Sequence, residues 1–289
     1  MIYGKIGLMR KKLKPIVVIG FFLTFFAIIF ISGVYGNRAT AGKETTITQS
    51  NTNPTSIETI PSSSYYITNA LEMKPIIDVS AWQRPSEIDY DTLSQNISGA
   101  IVRIQSGSHT KNENTATDEN GLDKAFDTHI KEFQARNIPV AVYAYVTGNS
   151  IDSMKEEARS FYEAANKYNP TFYWLDVEER TMDDMNGGVE AFRQELESLG
   201  AKNIGIYVGT YFMEDHSINV DKFDAIWIPT YGVDSGYYNA APSTDLDYDL
   251  HQYTSRGYVN GFENYLDLNI ITTLKDPNEV YRKLFTTPE

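Results

Sequence analysis

Two carboxylates, Asp176 and Glu178, close the run Thr171-Phe-Tyr-Trp-Leu-Asp-Val-Glu-Glu179, which otherwise has the composition of a buried strand. In an extended strand alternate side chains share a face, so Phe172, Trp174, Asp176 and Glu178 point the same way, with the two acids about 7 Å apart along the backbone. Negative charges at the end of an apolar wall are costly unless the site uses them. Paired carboxylates suit glycoside hydrolysis: one acid donates a proton to the leaving oxygen, and a second negative group attacks or stabilises an oxocarbenium-like centre. Environment separates the roles, because a carboxyl against apolar rings keeps its proton and one held by hydrogen-bond donors stays ionised. Glu178, outermost and longer, is therefore the candidate acid, and Asp176, one pleat deeper, the candidate anion.

The elements that must position this pair recur along the chain. Eight short apolar or β-branched runs have the length of strands: 76–80, 100–106, 139–146, 172–178, 203–208, 225–231, 249–254 and 266–271. Between the early ones lie helical patterns near a 3.6-residue period, over 121–136, 151–168 and 189–199, the last closed by Gly200 as a C-cap. After the fifth run the connections turn to Gly, Asn, Asp and Tyr. The pattern predicts an α/β fold, an irregular barrel of (β/α)8 type in which five β/α units precede three strands with little helical cover. In such barrels function sits where the strands end. Polar residues collect there: Asp78 and Ser80, Arg103 and Gln105, Tyr143 and Tyr145, Tyr207, Tyr231, Gln252 and Tyr253, Asp267 and Asn269. The tyrosines, among 20 in the chain, and Trp227 offer rings for sugar faces and polar edges for sugar hydroxyls.

Composition excludes several other chemistries. The four histidines form no H-x-x-x-H pair and cysteine is absent, so no zinc site is expected. The acidic stretch Asp245-Leu-Asp-Tyr-Asp249 lacks the twelve-residue calcium-loop pattern, and no G-x-S-x-G elbow occurs. The formal charge of −13 includes five basic and no acidic side chains in the first 36 residues, which leaves −18 on the remainder. So acidic a body is a poor partner for nucleic acid.

The N-terminal quarter is organised differently. Residues 1–14 form a basic segment, and 15–36 carry no charge over a length that spans a bilayer, so the positive-inside tendency places the body outside the cytoplasm. The run reads as a membrane anchor, or, with Ala39-Thr-Ala41 as a cleavage-like site, as a long signal peptide. Residues 37–72, rich in Thr, Ser, Asn and Pro, read as a flexible linker, and 73–289 as the catalytic barrel. Without cysteine, that body relies on its core alone.

Taken in order, Asp78-Val-Ser-Ala-Trp-Gln83, Leu175-Asp-Val-Glu178, His251-Gln-Tyr-Thr-Ser255 and Leu266-Asp-Leu-Asn269 resemble the successive motifs of the glycoside hydrolase family 25 lysozymes, the Chalaropsis-type muramidases. The resemblance implies a (β/α)5β3 barrel that cleaves the β-1,4 bond between N-acetylmuramic acid and N-acetylglucosamine in peptidoglycan glycan strands, with no metal or organic cofactor. It implies Glu178 as proton donor, Asp176 as the neighbouring carboxylate, acting as nucleophile or stabiliser, and Asp78 and Asp267 as flanking acids. Tyr143, Tyr145, Gln105, Arg103, Tyr207, Trp227, Tyr231, Gln252 and Tyr253 are the candidate substrate-binding residues.

Three departures from the family pattern touch the walls of the site rather than its acids: His251-Gln252-Tyr253 for Trp-Gln-Tyr, Arg103-Ile-Gln-Ser-Gly107 for Lys-Ala-Thr-Glu-Gly, and Tyr143-Ala-Tyr145 for Tyr-His-Phe. A catalytically silent wall-binding module and a chitinase-like glycosidase are the competing readings. The second is disfavoured because Phe172 and Tyr173 occupy the places where upstream aspartates would stand.

Overall fold

The computed structural model describes residues 69–107 and 113–287. The apolar run 15–36, its basic flank and nearly all of the linker read over 37–72 lie outside the described residues. Among the described residues no helix is long and apolar enough to cross a membrane.

Eight strands close a barrel in sequence order. They are β1 (Ile76–Val79), β2 (Gly99–Gln105), β3 (Val140–Tyr145), β4 (Tyr173–Val177), β5 (Ile204–Val208), β6 (Ala225–Pro229), β7 (Leu250–Gly257) and β8 (Leu266–Ile271). Strands β1 to β7 pair in parallel, and β8 runs antiparallel to both β7 and β1. The three strands with little helical cover are β6, β7 and β8. The link from β6 to β7 is an irregular segment, although the two strands are parallel.

Five helices connect the first six strands: α1 (Tyr90–Ser94), α2 (Phe126–Ala135), α3 (Ile151–Ala165), α4 (Met185–Ser198) and α5 (Thr210–Asp215). A sixth, α6 (Pro277–Phe285), follows β8. Local chemistry sets their ends. Ser150 and Ser153 form a capping box at α3, and Asp184 and Asp276 accept backbone N–H bonds at the starts of α4 and α6. Gly200 follows α4 with φ +95°, as a C-terminal glycine should.

Strand alternation divides the core in two. Tyr173, Leu175 and Val177 face the helices, where they join Phe161 and Phe192. Phe172 and Trp174 face the barrel interior with Ile101, Ala141, Tyr207, Trp227, Leu250 and Ile271. Trp174 lies across its cross-strand partner Gly205, where a Cβ would meet the indole ring at 2.4 Å. Only glycine leaves the ring room, and the fully buried indole is worth roughly 3–5 kcal/mol against truncation. At the other end of the interior Val280, Leu284 and Phe285 of α6 pack against Ile76 and Ala70. Ala70 belongs to a single 3-10 turn, Ala70–Glu72, so the last residues of the segment read as linker pack as part of the barrel body.

Candidate active site

The catalytic face is the end of the barrel where β1 to β7 finish and β8 begins. There the interior opens into a cavity of about 160 Å³ lined by Asp78, Tyr143, Asp176, Glu178, Tyr207, Trp227, Tyr231, Gln252 and Asp267. All four acids singled out in the sequence are therefore in one cavity. Phe172 and Trp174, stacked with ring centroids 4.9 Å apart, form the apolar wall beneath Asp176. Asp176 is buried, whereas Glu178 stands exposed at the mouth.

A polar network fixes one acid in particular. Asp78 Oδ2 accepts from Gln252 Nε2 at 2.9 Å and from Asn269 Nδ2 at 2.8 Å. Gln252 Oε1 in turn accepts the hydroxyls of Tyr207 at 2.8 Å and Tyr231 at 2.6 Å, and Trp227 Nε1 donates to Asn269 Oδ1 at 2.8 Å. Each amide is thereby oriented, its oxygen held by ring donors and its nitrogen turned to the carboxylate. Burial drives the Tyr207 and Tyr231 hydroxyls well above the usual phenol range, so they remain donors.

Proton affinities are raised throughout. Burial pushes Asp78 up to about 6, and the Glu178 charge adds to this, while the Asn269 and Gln252 donors oppose it. Asp267 is pushed up to about 8, by burial first and then by the charges of Asp78, Asp234 and Glu178. Asp176 lies well above the carboxylate range because of burial, then Glu178 and Asp78, with Arg103 opposing. Glu178 is raised by desolvation and by the charge of Glu179. These directions correct the expectation that donors hold Asp176 as the anion. Asp176 Oδ1 is buried and finds no hydrogen-bond partner among the described residues. The amide donors instead serve Asp78 on β1.

Four other candidates stand outside the cavity. A register shift in β2 between Arg103 and Gln105 turns Gln105 to the outer face, where it pairs with Ala144 and donates to the Glu157 carbonyl of α3 at 3.0 Å. In β7 Leu250 and Gln252 face inward, so alternation packs Tyr253 outward, its ring edge-on to Tyr238 at 6.0 Å. Arg103 is drawn to buried Asp123, its guanidinium within 2.9 Å of Oδ2, and acts on Asp176 through its charge. Tyr145 stands half-buried beside the mouth and donates to Glu179 Oε2 at 3.3 Å. Asn269 was absent from the candidate residues, although the period of two from Asp267 puts it on the same inward face. Among the described residues no group of three or more His, Cys, Asp or Glu converges to hold a metal ion.

The glycosyl hydrolases family 25 model matches residues 77–262, which run from the strand bearing Asp78 to the hairpin before Asp267. The chain belongs to glycosyl hydrolases family 25. Family 25 membership makes it a glycoside hydrolase. It is similar to GHIP, a glycosyl hydrolase 25 of Streptococcus pneumoniae described as a virulence factor participating in host cell invasion. The two are 61% identical over 76% of this chain and 96% of that one, with a TM-score of 0.73. The catalytic domain of the endolysin ply40, from bacteriophage P40 of Listeria monocytogenes, is 25% identical over 72% of this chain and 97% of its own, at a TM-score of 0.62. The modular autolysin LytC of Streptococcus pneumoniae, solved with a synthetic peptidoglycan ligand, shares the fold at 20% identity and a TM-score of 0.57, over 72% of this chain and 50% of that one. A search of curated proteins found no match.

Proposed function

We propose that this family 25 hydrolase cleaves the β-1,4 bond between N-acetylmuramic acid and N-acetylglucosamine in peptidoglycan, with Glu178 as general acid. One observation carries the reading: four carboxylates share a cavity of about 160 Å³ walled by Tyr143, Tyr207, Tyr231 and Trp227. The ligand of the LytC structure and the endolysin likeness support a cell-wall glycan as the substrate.

In this mechanism Glu178, at the mouth, gives its proton to the glycosidic oxygen as the bond to the anomeric carbon breaks. Its raised proton affinity keeps that proton available. Asp176 is nucleophile or stabiliser at the sugar's anomeric centre. Its proton affinity depends on the Glu178 charge, so it ionises more readily while Glu178 is protonated. Asp78, held by two amides, and Asp267, across from it, line the opposite wall. Water completes hydrolysis, adding hydroxyl to the anomeric carbon and returning a proton to Glu178.

The enzyme acts outside the cytoplasm, and we assign 15–36 the role of holding it at the membrane. Incubating the full chain with purified peptidoglycan tests the reaction. Product release separates it from a silent wall-binding module, which would sediment with the polymer and release nothing. Cleavage of chitin oligomers with none of peptidoglycan would favour the chitinase-like reading instead.

A further inference from the structure

The exposed aromatic side chains of the described body are Trp82, Tyr211, Tyr237, Tyr258 and Tyr265. Each stands on a segment that leaves the catalytic end of a strand: Trp82 after β1, Tyr211 after β5, Tyr237 after β6, Tyr258 and Tyr265 on the hairpin from β7 to β8. None is on the opposite end of the barrel, and the one in a helix, Tyr211, is in the first turn of α5, just after β5. Exposed rings gathered on one face mark a contact surface.

Two of these segments enclose a cleft of about 660 Å³, whose lining includes Glu87, Asp89, Tyr258, Asn260, Glu263 and Asn264. That volume is within the range of small-molecule sites. One wall follows β1, the strand of Asp78, and the other precedes β8, the strand of Asp267, so the cleft belongs to the catalytic end of the barrel. The walls are fixed to each other. Asp89 N donates to the Gly261 carbonyl at 2.9 Å, and Ile88 bridges to Phe262. Gly261, at φ +105°, presses so closely on α1 that a Cβ would lie 2.4 Å from Leu93 N. On the hairpin the Tyr258 and Tyr265 rings sit 4.8 Å apart and tilted by 55°, a ready platform at the rim.

We propose that this cleft and the Tyr258–Tyr265 platform form a remote saccharide subsite, which grips the same glycan strand beyond the sugars at the scissile bond. It rests on the peptidoglycan reading for the identity of the polymer. Rings stack on the C–H faces of sugars, and the carboxylates and amides of the lining bond to sugar hydroxyls. The acidic walls repel phosphate-bearing polymers and lipid headgroups. Its place on the same end of the barrel as the four acids, among the exposed rings gathered there, makes the occupant the substrate itself. Because the walls are held before any ligand arrives, little ordering opposes binding.

The test uses the full chain with Tyr258→Ala, Tyr265→Ala and the double variant. Both rings are exposed, so their truncation leaves the fold intact, which circular dichroism checks. The ratio of kcat/KM on long peptide-free glycan strands to that on the shortest cleavable oligosaccharide should fall about tenfold in the double variant, through KM. An unchanged ratio overturns the proposal. A second arm is independent of turnover: in a Glu178→Gln background, calorimetric affinity for the long strands should fall by the same factor. Unchanged affinity, or binding only to strands that carry stem peptides, overturns it. If the wild-type chain binds long strands through these tyrosines yet cleaves no glycan, the subsite stands and the proposed reaction falls.

Discussion

Asp78 and Asp267 are directly opposed residues of the antiparallel β1–β8 ladder, so two carboxylates share one face of one cross-strand pair. Opposed side chains of this kind have Cβ atoms about 4.5–5.5 Å apart, and like charges there repel. The barrel resolves the conflict asymmetrically. Gln252 and Asn269 both donate to Asp78, whereas Asp267 takes the proton, at about 8 against about 6.

Removing Asp267's charge should therefore stabilise the protein at high pH. Its affinity for a proton rises from 3.8 to about 8 on folding, so the folded state binds more protons across that window. Stability is greatest below the unfolded value and falls as pH rises through the folded one. Calorimetric melting should show Asp267→Asn gaining over wild type at about pH 9 and little at about pH 4. An equal gain at both would mean that packing, not charge, separates the variants.

Asn269→Ala removes one donor from Asp78 and frees the Trp227 indole N–H. A lost donor disfavours the ionised form, so Asp78 titrates higher. The acid limb of the kcat/KM profile should move to higher pH, and an unmoved limb would show that Asp78 ionisation does not govern turnover.

Gly205→Ala forces a methyl group into the Trp174 ring, which has nowhere to retreat in the filled interior. Overpacking of this sort costs about 1–3 kcal/mol, readable as a lower denaturant midpoint. Because Trp174 underlies Asp176, turnover should fall in the same variant below its melting range.

Asp176→Asn is expected to keep measurable turnover. Asp176 has no donor on Oδ1 and a strongly raised proton affinity, which fit a group that orients or stabilises more than a resident anion. Loss as complete as that of the Glu178 variant would instead mark direct attack by Asp176.

Much of this was legible in the sequence because β-branched runs and the period of two carry strand and facing together. Leu266–Ile271 was bounded as observed; alternation put Asp176 and Glu178 on one face, and the family resemblance supplied Asp78 and Asp267 as the flanking acids. Gln105 was misplaced because a β-bulge adds one residue and reverses every later facing, and no composition signal marks it. Tyr253 was misplaced for a simpler reason: as the immediate neighbour of inward Gln252 it falls on the outer face by alternation. Helices α1 and α5, of 5 and 6 residues, are too short to display a 3.6 period. Helix α6 did carry readable signals in Asp276 and Pro277, its cap and first residue. The donors of Asp78 were beyond reach, since Gln252 and Asn269 meet it from 174 and 191 residues away.

The most direct test of the account is the release of new reducing ends from purified peptidoglycan by the full chain and by Glu178→Gln. The wild type should generate reducing ends on N-acetylmuramic acid, and the variant should lose about 10²–10⁴-fold in rate, the usual share of a general acid, while still sedimenting with the polymer. Undiminished release by Glu178→Gln, or reducing ends on N-acetylglucosamine, would contradict it.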